Sequence, residues 1–431
     1  MRLKDLIVQN IFWRGLYFLS LFVLNILISR YFKAEGSGWV YYVINNLSLL
    51  LLITGISLES GASYYTSKNE ISHAKIAGFC FFWAFVATLM SIVILKITQI
   101  GSSNNFTFTT EYFVACGSYV LGFLLINYFS ALYFAKQNFF TPNLILLSAN
   151  LLMIFLIAAY GNNLFIHQHF IIIYFSSFLS QGLVLAIAYF SNDKNLKKPR
   201  LLSTDELKKI FRYSLIALFA NVIFFLVYRV DYWFVKRFCN GHDLGNYIQV
   251  SKLGQIFMLV PTMLAAVIFP RTASGLHFNL NDSLQALSRI LFSFYFIIIA
   301  TVIISGKWLF PFLYGSSFDE MYYPFLLLSP GILSLSTLAL VSAYFAGKNK
   351  LAANLAGSII SLIIIATGDI MFIPKYGIKA AATVSSAGYI CYLVYNLYFF
   401  KKEYKSNTID FFILKKSDIN YISRLFKKAT L

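Results

Sequence analysis

The chain has 431 residues, of which 59% are hydrophobic and 12% are charged, and its formal net charge is +18. Soluble domains have about 45–50% apolar and about 25% charged residues, so this composition excludes a soluble globular protein. Apolar stretches of about twenty residues recur along almost the whole chain, which predicts an integral membrane protein without a soluble domain between its spans.

Hydropathy predicts an all-α protein with about twelve transmembrane helices in two sets of six. The first span is too long for a signal-peptide core, and no small-residue cleavage site follows it, so we interpret it as a retained helix. The predicted spans are residues 10–32, 39–61, 76–98, 112–134, 144–160, 170–191, 213–236, 247–270, 290–310, 322–346, 351–373 and 379–400.

These spans divide the chain into four regions. In the second region, Ser203 and Glu206 have the spacing of a capping box before an apolar face, which predicts a short surface-lying helix. The last region alternates apolar and basic residues, so it either lies on the cytoplasmic leaflet or forms a disordered basic tail. The predicted regions are an N-terminal six-helix bundle (1–191), a basic cytoplasmic linker (192–212), a C-terminal six-helix bundle (213–400) and a basic amphipathic cytoplasmic tail (401–431).

The distribution of Lys and Arg predicts the orientation. These residues are about three times as frequent in the segments on the side of the two termini as in those on the other side. The positive-inside rule therefore places both termini in the cytoplasm, and the basic charge serves topology and contact with anionic lipids rather than nucleic acid. The four cysteines and five histidines show no CxxC and no metal-ligand spacing, so neither a disulfide framework nor a metal cluster is predicted.

Two segments about half the chain apart have similar patterns. "RYFKAEGSGWVYYV" begins at Arg30 and "RFCNGHDLGNYIQV" begins at Arg237, and in both the Arg is separated by seven residues from a glycine, Gly38 or Gly245. They fall at the junctions of helices 1–2 and 7–8, which supports a duplicated six-helix unit whose two copies share one orientation. A cavity between two such halves is a natural place for a transported substrate.

Four stretches resemble motifs of the polysaccharide-type flippases, a family of the multidrug/oligosaccharidyl-lipid/polysaccharide exporter superfamily. The first, "ILISRYFKAEGSGWVYYV", is similar to the end of that family's helix 1, and "VDYWFVKRFCNGHDLGNYIQVSKLGQIF" to its helix 7–8 hairpin. "VPTMLAAVIFPRTA" resembles its helix 8, and "FIPKYGIKAAATVSSAGY" its helix 11–12 junction. The resemblance implies two six-helix bundles around a central, often cationic, cavity that opens alternately to the two sides without ATP hydrolysis.

The resemblance also implies a cargo and partners. The cargo would be an undecaprenyl-pyrophosphate-linked oligosaccharide, such as an O-antigen or capsule repeat unit, moved across the bacterial inner membrane from the cytoplasmic to the periplasmic leaflet. A polysaccharide polymerase and a chain-length regulator would act nearby. No cofactor is implied, and coupling to protons, sodium or the membrane potential is compatible with the residues present.

Three charged residues inside the predicted helices 7 and 8 are candidate site residues. A charge at the bilayer centre costs about 2.5–3.5 kcal/mol on insertion scales, so each needs a reason. On a helix Arg229 and Asp231 diverge by about 200°, whereas Lys252 lies at a depth similar to that of Asp231, about 9 Å, which predicts an ion pair across the hairpin. Arg229 lies deeper and is either a cavity cation that attracts pyrophosphate or an arginine that snorkels to the periplasmic surface.

Four further residues have two interpretations each. Arg14, in the first helix, either snorkels to the cytoplasmic headgroups or lines the cavity, and Arg271 is either a positive-inside anchor or a cavity cation at the cytoplasmic mouth of helix 8. Glu59 and Asp369 are either ion-coupling groups or structural carboxylates. The sequence leaves these alternatives open.

Two other functions compete with the flippase. A cation-coupled multidrug or metabolite antiporter of the same superfamily would differ in cargo rather than fold. A membrane enzyme such as a polysaccharide polymerase is disfavoured, because the outer loops are short and hold no carboxylate pair for a metal. A Gly-rich phosphate loop is also absent from the sequence, which argues against an intrinsic ATPase.

Overall fold

The computed structural model describes residues 3–98, 110–164, 167–192, 201–274, 280–404, 407–416 and 418. Within these ranges all regular secondary structure is helical. Two 3-10 helices, Ser316–Met321 and Thr408–Phe411, accompany the α-helices. The α-helices are α1 (Leu3–Thr54), α2 (Leu58–Lys68), α3 (His73–Thr98), α4 (Thr110–Ala135), α5 (Phe140–Leu164), α6 (His167–Asn192), α7 (Thr204–Arg229), α8 (Asp231–Phe238), α9 (Gly241–Phe257), α10 (Leu259–Ser274), α11 (Leu280–Tyr314), α12 (Tyr322–Gly347) and α13 (Leu351–Tyr404).

The two longest helices each contain two membrane spans. Of the described residues, ten helical stretches are long and apolar enough to cross a membrane. However, α1 has 52 residues and α13 has 54, about twice the length that a bilayer requires. Each is interrupted at one non-helical residue, Lys33 in α1 and Gly377 in α13. Counting both halves of these helices gives the predicted twelve spans, so the prediction of an all-α membrane fold is confirmed.

The two interruptions differ in cost. Gly377 has φ 59° and ψ −145°, a conformation that glycine adopts without a steric penalty. Lys33 has φ 57° and ψ −174°, which is essentially a glycine-only region and costs a side-chain-bearing residue about 1–3 kcal/mol. Neighbouring hydrogen bonds hold it there, because the Ser37 hydroxyl donates to the Lys33 carbonyl at 2.7 Å and the Ala34 N–H donates to Ser317 Oγ at 3.0 Å.

The second predicted span is broken between α1 and α2. Ile56 and Ser57 both have φ 50°, a left-handed conformation that a β-branched residue such as isoleucine rarely adopts. The carbonyl groups released by the break have side-chain donors: Trp83 Nε1 donates to the Thr54 oxygen at 3.2 Å, and the Tyr128 hydroxyl to the Gly55 oxygen at 3.1 Å. The break is thus a supported part of the fold rather than a frayed helix end.

Proline has different effects in two other spans. Pro261 has no N–H to donate to the Phe257 carbonyl, and the helix is interrupted one turn earlier, at Met258, between α9 and α10. This agrees with the kink that a proline permits. Pro330 lies inside α12, which continues without interruption from Tyr322 to Gly347. The position of a proline alone therefore does not predict a break.

The first of two compact units comprises Met1–Phe32 and Val40–Val222. Its centre is the packing of α4 against α6, where glycines allow close backbone approach. A Cβ added to Gly122 would lie 2.2 Å from the Phe178 carbonyl carbon, and one added to Gly182 would lie 2.5 Å from the Gly122 oxygen. Aromatic rings, such as the T-shaped pair Tyr119 and Phe178, fill the space beside this contact.

The predicted linker contributes the start of α7 to this unit. The capping box is confirmed, since the Ser203 N–H donates to Glu206 Oε2 at 2.7 Å and the Glu206 N–H donates to Ser203 Oγ at 3.3 Å. The predicted helix that begins at this box continues directly into the seventh span, because α7 runs from Thr204 to Arg229 without interruption. Its first turns pack on the first unit: Lys75 is 2.9 Å from Glu206, and the Tyr64 and Tyr213 rings stack at 4.4 Å.

The second unit comprises Lys33–Trp39 and Ile223–Leu431. The two segments that the repeat pattern pairs contact each other inside it. A Cβ added to Gly38 would lie 2.6 Å from the Gly245 Cα, and one added to Gly245 would lie 1.8 Å from the Ala34 oxygen. A backbone-to-backbone contact thus requires glycine at these matched positions. The sequence pattern identifies the two positions but does not predict that they contact each other.

The beginning of the tail is folded onto the second unit. Arg289 and Asp418 are 5% and 2% exposed and form a bidentate ion pair, with Nε and Nη2 donating to the carboxylate at 2.7 and 2.6 Å. Arg289 Nη1 also donates to the Asp410 carbonyl at 2.7 Å, and Phe411 is fully buried. This differs from a surface-lying amphipathic tail, because the described part is a 3-10 helix docked by a buried salt bridge. Residues 419–431 lie outside the described residues.

Candidate functional site

Arg229 is the last residue of α7 and is half-buried. Its Nη2 donates to Gln255 Oε1 at 3.0 Å, and its guanidinium lies 5.7 Å from the centroid of the Phe225 ring and 6.0 Å from that of Tyr232. The faces of aromatic rings attract a cation, and the hydrogen bond to the Gln255 side-chain amide fixes one edge of the guanidinium. These contacts hold the charge beside α9, which favours a positioned cation over a snorkelling side chain.

Lys252 lies near Arg229 on α9. The two positive charges act on each other, and Lys252 is half-buried, one turn before the Gln255 that Arg229 contacts. Two cations with donors in this arrangement suit an anion with several oxygens, such as a pyrophosphate, better than a single carboxylate. Lys252 therefore lies within electrostatic range of Arg229.

Asp231, which the sequence pairs with Lys252, has two hydroxyl partners in the structure. Asp231 Oδ2 accepts hydrogen bonds from the Tyr247 hydroxyl and from Ser385 Oγ, the latter at 3.1 Å. The helix register agrees with the contact to Tyr247. The turn between α8 and α9 contains only Cys239 and Asn240, so the depth of Asp231 is matched on α9 near Tyr247, not near Lys252.

Asp369 is close to Asp231. It lies in the first half of α13, is fully buried, and its negative charge acts on that of Asp231. Asp231 itself is 1% exposed. Both carboxylate oxygens of Asp369 are without a hydrogen-bond partner among the described residues. Two neighbouring buried carboxylates cannot both carry an uncompensated charge at low cost, so the pair holds either a proton or a cation.

The surroundings of this acidic pair are mainly phenolic. Tyr247 contacts Asp231 directly, and the Tyr389 ring lies within electrostatic range of both carboxylates. Hydroxyl and carboxylate oxygens are ligands for hard cations such as Na⁺ and also accept and donate protons. Among the described residues no group of three or more His, Cys, Asp or Glu side chains is arranged to hold a metal ion.

Arg14 lies in the first unit, whereas the candidate cations Arg229 and Lys252 lie in the second. It is half-buried in α1, with its guanidinium 5.7 Å from the centroid of the Phe18 ring and 5.9 Å from that of Phe134 on α4. Aromatic faces stabilise the cation in apolar surroundings by about 0.5–2 kcal/mol. Both of its interpretations, cavity cation and snorkelling anchor, are compatible with this environment.

Glu59 begins α2, next to the strained break at Ile56 and Ser57. A carboxylate in the first turn of a helix is favoured by the helix dipole. The negative charge of Glu59 acts on Cys80 and Tyr128, so it faces the interior of the first unit. Glu59 belongs to the first unit and the acidic pair to the second. The side chain of Arg271 lies outside the described residues.

Sequence reasoning missed the residues that complete the two clusters. Gln255, Tyr247 and Ser385 lie in apolar spans where a polar side chain carries no distinguishing pattern. One signal was available: Ser385 lies in the run "KAAATVSSAG", whose small residues indicate close helix packing and bring the second half of α13 next to α8. Tyr247 lies in the sequence Gly-Asn-Tyr at the start of α9, which does not by itself predict a contact with Asp231.

Comparisons with known proteins agree with this architecture. Residues 171–323 match the protein family described as "Polysaccharide biosynthesis protein", and this range contains Arg229, Asp231 and Lys252. No curated protein sequence matches the chain significantly. The fold is shared with solved transporters, and the family match agrees with the predicted resemblance to a polysaccharide family over residues 171–323.

Three of these structures illustrate the likeness. A multidrug resistance MATE family transporter of the MOP superfamily, in its inward-facing conformation, aligns with a TM-score of 0.73 and 10% identity over 90% of this chain and 94% of its own. The lipid II flippase MurJ, in an inward closed conformation, aligns at 0.71 and 16% over 93% and 89%. A mutant of the Vibrio cholerae MATE transporter VcmN aligns at 0.69 and 10% over 95% and 98%.

Proposed function

We propose that the chain is a flippase that moves an undecaprenyl-pyrophosphate-linked oligosaccharide, an O-antigen or capsule repeat unit, to the periplasmic leaflet of the bacterial inner membrane. The observation that carries this proposal is the pair of cations at Arg229 and Lys252, held within membrane spans beside Gln255. Their several N–H donors suit the pyrophosphate group, which every cargo of this class shares whatever its sugars. The polysaccharide family match and the likeness to a lipid II flippase support the same class.

The acidic pair gives the proposal a driving force. Asp231 and Arg229 are separated only by Val230, where a 3-10 hydrogen bond from the Trp233 N–H to the Val230 oxygen at 3.2 Å marks a local irregularity. A cargo anion at Arg229 and a proton or cation at Asp231 would act on the same helical turn from opposite faces. The two binding events are thereby coupled, and alternating access requires such a coupling.

Topology and partners complete the proposal. The positive-inside distribution places both termini in the cytoplasm, so the tail docked on Arg289 faces the cytoplasmic leaflet and its anionic lipids. The released cargo would serve a polymerase and a chain-length regulator on the other side. The chain acts as a carrier and breaks no covalent bond of the cargo.

Flipping in reconstituted liposomes tests the function. The cargo would be a fluorescent undecaprenyl-pyrophosphate oligosaccharide, and the compared proteins would be wild type, Arg229→Ala, Arg229→Lys and Lys252→Gln. Arg237→Ala is the matched control, because this exposed arginine lies on the adjoining α8. We expect loss of flipping in Arg229→Ala, partial rescue by lysine and no change in the control.

Two outcomes of this experiment would change the proposed function or the proposed cargo site. Equal flipping by Arg229→Ala and wild type would remove the cation pair from cargo binding. Failure of wild type to move the lipid, together with ion-driven export of small cationic solutes, would assign the antiporter function. The acidic pair favours that second candidate, because it supplies an ion site that such exchange requires.

A further inference from the structure

Basic and aromatic side chains cluster where three helices of the second unit begin, end or are interrupted. Two members lie in the last turns of α11, another lies in the first turn of α12, and another follows the interruption of α13. The positive-inside distribution assigns this level to the leaflet opposite the termini. We call this cluster the outer patch; its members are Lys307, Trp308, Phe312, Tyr323 and Lys379.

Two ammonium groups of the outer patch converge on one ring. Lys307 Nζ lies 5.9 Å from the centroid of the Tyr323 ring, and Lys379 Nζ lies 4.8 Å from the same centroid. Lys307 Nζ also lies 5.3 Å from the centroid of the Tyr322 ring. A close contact fixes α11 against α12 here, because a Cβ added to Gly306 would lie 3.1 Å from Tyr322 Cδ2. The rings attract both cations and therefore hold two positive charges close together.

The positive charge of the outer patch is not compensated by the protein. Among the described residues no carboxylate oxygen lies within 4.0 Å of Lys307 Nζ or Lys379 Nζ. Asp319, in the 3-10 helix before α12, lies 3.5 Å from His242 Nε2 instead. Basic residues are scarcer on this side of the membrane, so two lysines without a carboxylate need a reason. An anion supplied from outside the protein is the complementary partner.

The aromatic part of the outer patch continues an exposed apolar face of α11. The rings of Trp308 and Phe312 stack at 5.0 Å, and their exposed fractions are 67% and 57%. Ile304 and Ile297 are 85% and 65% exposed, and their helical spacing from Trp308 places them on the same face. An apolar face of this kind in a membrane span contacts acyl chains. The outer patch therefore joins a charged region to a lipid-facing stripe.

The length of this stripe matches one leaflet. Trp308 and Ile297 are eleven positions apart, which is about 16 Å along the helix at about 1.5 Å per residue. One leaflet contributes about 15 Å to the hydrocarbon core of a bilayer. An ordinary phospholipid with its headgroup at the lysines would thus extend its chains to the level of Ile297. A long polyprenyl chain exceeds this length.

We propose that the outer patch binds an anionic phospholipid of the leaflet opposite the termini. Its phosphate lies beside Lys307 and Lys379, whose ammonium groups donate to phosphate oxygens. The stacked rings of Trp308 and Phe312 lie at the level of the headgroup, where aromatic side chains are favoured. The acyl chains follow the exposed face of α11. This site is separate from the cation pair and the acidic pair, so it does not depend on the proposed function.

Quenching of tryptophan fluorescence by brominated lipids tests the site. The purified protein would be placed in phosphatidylcholine nanodiscs that contain either brominated phosphatidylglycerol or brominated phosphatidylcholine at equal mole fraction. Trp308→Phe identifies the part of the emission that comes from this residue, since the chain has five tryptophans. The test variant combines Lys307→Gln with Lys379→Gln. The matched control combines Lys401→Gln with Lys402→Gln, which removes the same charge at the exposed opposite end of α13.

We expect brominated phosphatidylglycerol to quench Trp308 preferentially, with each of the two lysines contributing about fivefold to the preference. The control should keep the preference, and the variant that combines Lys307→Arg with Lys379→Arg should also keep it, because the charge remains. Equal quenching of wild type by the two lipids, or an unchanged preference in the double glutamine variant, would overturn the site. Displacement of the brominated phosphatidylglycerol by a lower mole fraction of undecaprenyl pyrophosphate would overturn a phospholipid as the occupant.

Discussion

The two compact units differ in how they treat charge inside the membrane. The first unit is closed by glycine and aromatic contacts, such as the approach of α4 to α6, and its candidate charges are the separate residues Arg14 and Glu59. The second unit gathers two cations and two carboxylates around one turn of α7 and α8. Each intramembrane charge costs several kcal/mol, and this clustering is why we propose the second unit as the one that binds the ions and the anionic cargo.

The difference also appears in the backbone. The first unit contains a strained pair, Ile56 and Ser57, whose carbonyl neighbours are satisfied by Trp83 and Tyr128. In the second unit the irregularity at Val230 keeps helical dihedral angles. The backbone strain of the first unit is thus supported by side-chain hydrogen bonds, whereas the Val230 irregularity of the second unit carries no such strain.

The largest expected effect is the loss of the folded second unit in Gly245→Ala. The added Cβ would lie 1.8 Å from the Ala34 oxygen, and the clash is with backbone that cannot rotate away. We expect the free energy of unfolding to fall by about 3 kcal/mol or more. The control is Gly78→Ala in the first unit, where the Cβ would meet no atom within 4 Å and alanine favours the helix. Equal thermal stability of the two variants in detergent would contradict the backbone contact.

The next effect concerns the tail salt bridge. Arg289→Ala leaves Asp418 without its bidentate partner, and the loss of one member of a buried pair costs about 3–5 kcal/mol. Arg289 and the Lys415 N–H hold the pKa of Asp418 below its ordinary value. The stabilisation is therefore complete above the ordinary pKa of about 4 and declines as the pH falls through the lowered value. Thermal unfolding against pH should show this decline in wild type and lose it in Asp418→Asn.

A smaller effect separates the two carboxylate sites. Asp369→Asn removes one member of the acidic pair, and we expect the ion-driven component of flipping to fall about 5–150-fold, the range of typical coupling energies. Glu59→Gln in the first unit should change it much less, because Glu59 lies outside this pair. Flipping rates with and without an imposed proton gradient measure both. A larger loss in Glu59→Gln would reverse the roles of the two units.

The smallest effect is expected for conservative exchange of the two arginines. Arg14→Lys keeps the charge over the Phe18 and Phe134 rings, so flipping should change by less than about twofold. Arg229→Lys loses the fixed hydrogen bond to Gln255 and should reduce the rate by about tenfold. Rates measured at matched expression compare the two. Similar losses would place both cations in the same cargo site.

The sequence predicts the helices well because twenty-residue apolar runs are nearly unique to membrane spans. It also predicts the capping box of Ser203 and Glu206, since capping depends only on local spacing. Register is harder to predict. The polar run after Cys239 looked like a long turn, yet Asn240 caps α9 by accepting from the Asp243 N–H at 2.8 Å, and the helix begins at once. That shift of a few residues brings Tyr247 level with Asp231, a contact that the sequence did not predict.

The acidic pair shows a second limit of prediction from the sequence. Asp231 and Asp369 were each predicted as candidate carboxylates, but their proximity depends on how α8 packs against α13, which lies more than a hundred residues further along the chain. Periodicity describes one helix at a time and contains no information on such pairings.

The buried pair of Arg289 and Asp418 has a consequence for the order of synthesis. Arg289 is made with α11, whereas Asp418 is made only after the described α-helices have been translated. Until then the arginine of the nascent chain lacks the carboxylate of Asp418. The second unit is therefore completed by a segment that is synthesised after its described membrane spans. A chain that stops after Tyr404 would contain the described α-helices but not the carboxylate that pairs with Arg289.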